Sequence, residues 1–305
     1  MSGGLPARLS PANRGMLLVL GVVVMFTAMD AIAKYLSRYY PVSQILCLRF
    51  FFHTLLFVVF LAPRIGMTLV RTRRLGLHLL RGGLLAAAAF CFVTGIKYMP
   101  MAEATAIAYL NPILISLLAV AFLGEEIDLG RWVAVFVAFS GVLIVIRPGT
   151  SVFTWAALLP LMNAFLFAGY QVFTRYLAHA ENQYSLIFYP GLIGFLVFSL
   201  MAAPVAVLPT PMHLLLMAIG GFISGAGHLV MIRALKLSTA SHLAPFSYTQ
   251  LIWVMLVGYL VFDNFPDTWS LVGIALLIAS SLYCANHQRV KEKKASQELV
   301  AALKD

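Results

Sequence analysis

The chain has 305 residues, 62% of them hydrophobic and only 10% charged, with a mean hydropathy of +0.93. A soluble chain carries roughly a quarter charged residues, so this composition excludes an ordinary soluble enzyme or binding domain and implies a polytopic helical membrane protein. The net charge of +10 has no basic soluble domain to carry it. It is expected to set topology and attract anionic lipid, with no nucleic-acid partner.

Breakers and charged loops divide the chain into ten apolar segments, most near membrane-spanning length. An N-terminal arm, 1–15, with Arg8 and Arg14, precedes a first span at 16–37 that carries Asp30 and Lys34. That apolar core is too long for a cleaved signal peptide. The second span, 43–62, carries Arg49 and His53, and the third, 78–97, opens with Gly82, Gly83 and a run of alanines. The fourth, 101–122, contains "MAEATAIAYLNPIL", with Glu103, Tyr109, Asn111 and Pro112. A loop with Glu125, Glu126 and Asp128 follows, as solvated helix-end charge or an inner gate. Spans at 130–146, 152–175, 184–203, 211–234, 239–262 and 267–285 come next, and the tail 287–305 is too polar to cross. Tyr170 and Gln171 fall in the sixth span; Gly220, Gly221, Gly225 and Gly227 in the eighth; Tyr248, Gln250 and Trp253 in the ninth.

Charge orients these segments. With the N-terminus cytoplasmic, sixteen of the 21 lysines and arginines lie at the inner ends, and only Lys34, Arg38, Lys97 and Arg147 at the outer ends. The positive-inside bias therefore predicts both termini in the cytoplasm.

The two halves resemble one another. "RGGLLAAAAFCFVTGIKYM" from Arg81 matches "IGGFISGAGHLVMIRALKL" from Ile219, and "AKYLS" from Ala33 matches "TRYLA" from Thr174. Lys97 aligns with Lys236, Glu103 with His242, Tyr109 with Tyr248 and Asn111 with Gln250. The repeat unit holds five spans, 16–146 and 152–286. Five is odd, so the second unit enters the membrane upside down, an arrangement that places transporter sites at the repeat interface. The expected fold is an all-α integral membrane protein of ten transmembrane helices in two inverted five-helix repeats.

On these residues the chain resembles the ten-helix EamA-type transporters of the drug/metabolite transporter superfamily. "AEATAIAYLNPILISLLAVAFLGEE" is similar to the family's small-residue helix with a central proline and a terminal Leu-Gly-Glu. "YMPMAEATAIAYLNP" and "PFSYTQLIWVMLVGYLVF" are similar to members that move riboflavin or S-adenosylmethionine. In the second half no proline aligns with Pro112, and "FDN" replaces Leu-Gly-Glu. The resemblance implies a monomeric or homodimeric secondary carrier of a small-molecule metabolite in the bacterial inner membrane.

Ionisable groups inside spans are costly unless paired or facing a water-filled cavity. At 1.5 Å per residue Asp30 lies roughly 21 Å above the inner surface and Arg49 roughly 9 Å below the outer one. In a core about 30 Å thick these depths nearly coincide. His53 follows Arg49 by one turn on the same face. Asp30, Arg49 and His53 are therefore expected to converge as a substrate or proton site, or as a structural ion pair. Asn111 and Gln250 lie near the midplane, as cavity groups or interhelical hydrogen-bonding partners. Tyr109, Tyr170, Tyr248 and Trp253, with Gln171 beside them, are expected to form a mixed aromatic and amide wall, or to be core and lipid-facing aromatics. Glu103 suits the dipole of its helix start and, with Asp30, is a proton-coupling candidate.

No metal or cofactor is expected. Cys47, Cys91 and Cys284 are scattered through apolar segments, the seven histidines lack metal-ligand spacing, and no catalytic motif stands out. An integral-membrane enzyme, a channel and a sensory domain are the remaining alternatives to a carrier.

Overall fold

A computed structural model describes residues 11–123, 129–150, 153–178, 180–238 and 240–302. Glu125, Glu126 and Asp128 lie outside the described residues. Thirteen α-helices run in order among them. They are α1 (Pro11–Leu36), α2 (Val42–Phe60), α3 (Ala62–Ile65), α4 (Leu75–Tyr98), α5 (Met101–Ala108), α6 (Asn111–Leu123) and α7 (Leu129–Ile146). There follow α8 (Leu158–Ala178), α9 (Gln183–Ala202), α10 (Pro211–Leu237), α11 (Ala240–Ser247), α12 (Thr249–Phe262) and α13 (Thr268–Ala302). Apolar side chains leave the backbone as the main polar load, and a helix satisfies it within one segment.

Among the described residues, seven helices are long and apolar enough to cross a membrane: α1, α2, α4, α8 with its leading 3-10 turn, α9, α10 and Pro245–Phe262. Three shorter apolar stretches are Met101–Ile115, Trp132–Ile146 and Thr268–Cys284. The chain is an all-helical, multi-pass membrane protein.

Helix starts are chemically marked. Pro41 and Pro100 open α2 and α5 with nearly identical extended backbones. Asn182 Oδ1 accepts from the backbone N–H groups of Tyr184 and Ser185 at 3.0 and 2.9 Å, and Thr210 Oγ1 accepts from that of His213. These satisfy helix-start donors that have no partner within the helix.

Three expected boundaries change. The segments at 101–122 and 239–262 are each two helices, broken at Tyr109–Leu110 and at Tyr248. The last helix does not stop near 285 but continues to Ala302. Lys, Glu, Gln and Ala are good helix formers, so polarity ends the apolar stretch without ending the helix.

Packing is built from recurring pairs. α1 lies along α10 and touches α11 and α12, while α8 lies along α4 and touches α5 and α6. α2 packs on α9 and α10, and α9 in turn on α2 and α4. α7 packs on α13 through a glycine pair: a Cβ on Gly273 would lie 2.7 Å from the Gly141 carbonyl oxygen. Of the glycines in the third and eighth expected spans, Gly82, Gly221 and Gly227 allow close helix approach, whereas a Cβ on Gly83 would meet nothing within 4 Å among the described residues.

Two ends result. The near end is where α1 begins, and the far end is where α1 and α4 finish and α5, α10 and α13 start. Lys34 in α1 joins the end of α4, and Arg147 after α7 pairs with Asp267 before α13.

Candidate functional site

A row of polar groups crosses the middle of the bundle. Asp30, in α1, is 6% exposed and lies close enough to interact electrostatically with both Arg49 of α2 and Tyr109 at the α5–α6 break. Asp30 and Arg49 form no direct ion pair among the described residues. The Arg49 guanidinium stands 5.2 Å over the Phe50 ring, and its buried Nε has no hydrogen-bond partner among the described residues. Glycines hold this turn of α2 in place. A Cβ on Gly221 of α10 would lie 2.7 Å from the Arg49 carbonyl oxygen, and one on Gly191 of α9 would lie 2.7 Å from His53 Cδ2.

One turn on, buried His53 places Nδ1 3.2 Å from Ser224 Oγ of α10. Its ring centroid is 5.5 Å from that of His228. His228 Nδ1 lies 2.7 Å from the Ser224 carbonyl oxygen. A carbonyl only accepts, so His228 Nδ1 carries the proton.

The other flank is the meeting of the two helix breaks. In an uninterrupted helix the Ser247 carbonyl would accept from the Leu251 N–H. Here Leu251 N–H donates to the Tyr248 carbonyl at 3.1 Å. Ser247 O is thereby released and accepts from the Tyr109 hydroxyl at 2.7 Å. Gln250 Oε1 also lies 3.1 Å from that hydroxyl, and the Tyr109 and Tyr248 rings are 5.2 Å apart. On the first side, Pro112 has no N–H to offer the Ala108 carbonyl. Tyr109 N–H bonds Thr105 O, and Leu110 N–H tightens onto Ile107 O. Asn111 opens α6, half-buried, directly after this turn.

The structure thus places Asp30, Arg49 and His53 as neighbours, and it places Tyr109, Tyr248 and Gln250 together. Other expected residues fall elsewhere. Glu103 sits at the far end, where its Oε1 accepts from Ser270 Oγ at 3.1 Å beside the Arg147–Asp267 pair. Tyr170 lies under the Arg81 guanidinium at 5.3 Å, and Trp253 is 39% exposed. Helical depth was readable for both, but their direction around the axis was not.

Sequence reasoning missed two features. His228 belongs to the row, and its signal was its place beside the glycines Gly225 and Gly227 on the span facing α2. Arg81, one of the sixteen cations assigned to the inner ends, is fully buried at the near end. It donates to Thr174 Oγ1 at 3.2 Å and to the Leu186 carbonyl. One turn earlier on α4, His78 lies near Arg81 and places Nε2 3.9 Å from Glu181 Oε2, just before α9.

The polar row, buried in an apolar bundle and bordered by two broken helices, is an arrangement suited to moving a solute. Comparison with known proteins decides the family. The model of the EamA-like transporter family matches residues 13–147 and again 154–285. The chain belongs to the EamA-like transporter family.

Curated members of this family align over most of their length. The S-adenosylmethionine uptake transporter of Rickettsia bellii is 28% identical over 278 residues, covering 91% of this chain and 94% of the relative. The riboflavin transporter of Brucella anthropi is 30% identical over 230 residues, covering 73% and 81%. The pseudopaline exporter of Pseudomonas aeruginosa is 28% identical over 271 residues, covering 88% and 94%. A crystal structure shares the fold at a TM-score of 0.65 and 18% identity, covering 92% of this chain and 99% of its own.

Proposed function

We propose that this chain is a secondary carrier of small, partly polar organic metabolites in the inner membrane, with both termini cytoplasmic. The near end is then the cytoplasmic end. Ten spans form two inverted five-helix halves, and alternating access occurs as one half rocks against the other. Support comes from the twofold family match and from the packing, in which α1 on α10, α11 and α12 is mirrored by α8 on α4, α5 and α6.

The observation that carries the binding site is the Tyr109–Ser247 bridge between the two broken helices, beside Asp30. Broken helices expose backbone groups at the membrane midplane, where transporters bind solutes. In this reading Asp30 and Arg49 hold charged groups of the solute, and Tyr109 and Tyr248 cover a flat surface. Asn111 and Gln250 supply amide hydrogen bonds, and His53 tunes Arg49 from one turn away. Asp30, which is part of the row while Glu103 lies at the far end, carries any coupled proton. Exchange or uniport is the mode if Asp30→Asn leaves pH-gradient-driven uptake unchanged. The named relatives are all transporters, in keeping with a non-enzymatic role.

The test is a thermal-shift screen of the purified protein with S-adenosylmethionine, riboflavin, amino acids, nucleosides and polyamines. A ligand at a hundred times its Kd stabilises by about 2.7 kcal/mol. Stabilisation that disappears in Asn111→Ala and Gln250→Ala supports this site; stabilisation that survives both moves the site elsewhere.

A further inference from the structure

Of the four cations at the far end, Arg147 is paired with Asp267 at 2.6 Å. The other three, Lys34, Arg38 and Lys97, all line one cavity of about 360 Å³. Ser37 and Asn264 add polar groups, and no carboxylate lines it. Among the described residues none of the three cations has a carboxylate partner.

Each is held in place by something other than an acid. Lys34 is 8% exposed and donates to the Ile96 and Met99 carbonyls, at 2.6 and 2.8 Å, at the end of α4. An ammonium has three donors, so one remains. Arg38 stands 5.4 Å and Lys34 5.5 Å from the centre of the same Phe262 ring, and their like charges oppose one another. Lys97 lies 5.5 Å over Tyr98. Three positive charges gathered without a counter-ion cost electrostatic energy, which an incoming anion removes. Membrane proteins also keep cations scarce on the outer face, yet here three converge on one cavity.

We propose that this cavity is an anion-binding vestibule that takes a carboxylate or phosphate group at the outer mouth. Arg38 and Lys97 supply the open donors, and Lys34 forms the floor. The volume is within the range of small-molecule sites. Lys34 sits one turn beyond Asp30 on the same face of α1, so the vestibule ends one turn from the central polar row. Its anion has two sources, an acidic group of a solute or the headgroup of an anionic lipid. A solute so captured is concentrated at the entrance by the local field. The proposal goes beyond the transport reading, and its test reads occupancy, not transport.

The experiment measures acetylation of Lys97 by a water-soluble amine reagent, read by mass spectrometry. It compares sodium phosphate, sodium acetate and sodium chloride at equal ionic strength and pH, in maltoside micelles and in phosphatidylglycerol nanodiscs. An anion held at about three times its Kd lowers the reactive fraction, and hence the rate, about fourfold. Protection in micelles by phosphate or acetate over chloride, lost in Arg38→Gln, establishes a site for a soluble acidic group. Protection confined to phosphatidylglycerol nanodiscs, also lost in Arg38→Gln, establishes a headgroup site. Equal rates in all three salts and both environments, or protection that persists in Arg38→Gln, overturn the proposal. Arg38 is exposed, so the variant is expected to fold, and unchanged thermal unfolding confirms that the readout is local.

Discussion

The break between α5 and α6 has its proline after the turn, at Pro112, whereas the break between α11 and α12 has its proline before it, at Pro245. In the first, the missing N–H of Pro112 withdraws the usual donor from the Ala108 carbonyl. In the second, Leu251 keeps its N–H but turns it to Tyr248, which releases the Ser247 carbonyl. The Tyr109 hydroxyl then fills that vacancy from across the bundle. Equivalent positions therefore open a helix by unlike means, and among the described residues only the second opening is closed by its counterpart's tyrosine. The absence of a proline opposite Pro112 did not mean an unbroken ninth span.

This asymmetry is open to direct attack. Tyr109→Phe removes the bridging hydroxyl and strands the Ser247 carbonyl, a loss of about 1–3 kcal/mol. Tyr248→Phe leaves that bridge intact and is expected to cost clearly less in thermal unfolding. Equal losses in the two variants would abolish the comparison. Gln250→Ala removes only the second acceptor of the same hydroxyl, so its stability cost is expected near 1 kcal/mol. Uptake is expected to fall in Gln250→Ala by more than that stability change explains, because the amide is assigned to the solute.

The smallest effect belongs to a residue remote from both breaks. Asp267 receives the Ser270 N–H and then pairs with Arg147, which together hold its carboxyl below the usual range. Its contribution is present at neutral pH and is lost as pH falls through that lowered pKa. The pair is half-exposed, so Asp267→Asn is expected to lower stability by less than about 1 kcal/mol at neutral pH. The gap from the parent should close in acid. A gap that widens as pH falls would contradict the assignment.

Part of the candidate site was legible in one dimension. The rise of 1.5 Å per residue brought Asp30 and Arg49 to one depth, and the repeat paired Tyr109 with Tyr248 and Asn111 with Gln250. What the sequence did not carry was rotation about each helix axis and the identity of the neighbour. Arg81 sits at an apolar segment's start, where a cation ordinarily reaches water, yet Tyr170, Thr174 and Leu186 enclose it. Lys34 resembled an interfacial cation but completes the end of α4. His228 entered the row only because α10 lies along α2 with glycine at the contact. Partners distant in sequence decide such cases, and no local pattern announces them.

In the proposed carrier the turn after Tyr109 faces a solute path reached from both sides of the membrane. Asn111→Cys, in a chain whose Cys47, Cys91 and Cys284 are replaced by alanine, tests it with a water-soluble thiol reagent applied separately to each face of membrane vesicles. Modification of the introduced thiol is expected from either face. A thiol that resists the reagent from both faces, in protein of normal thermal stability, would place Asn111 in static packing and contradict it.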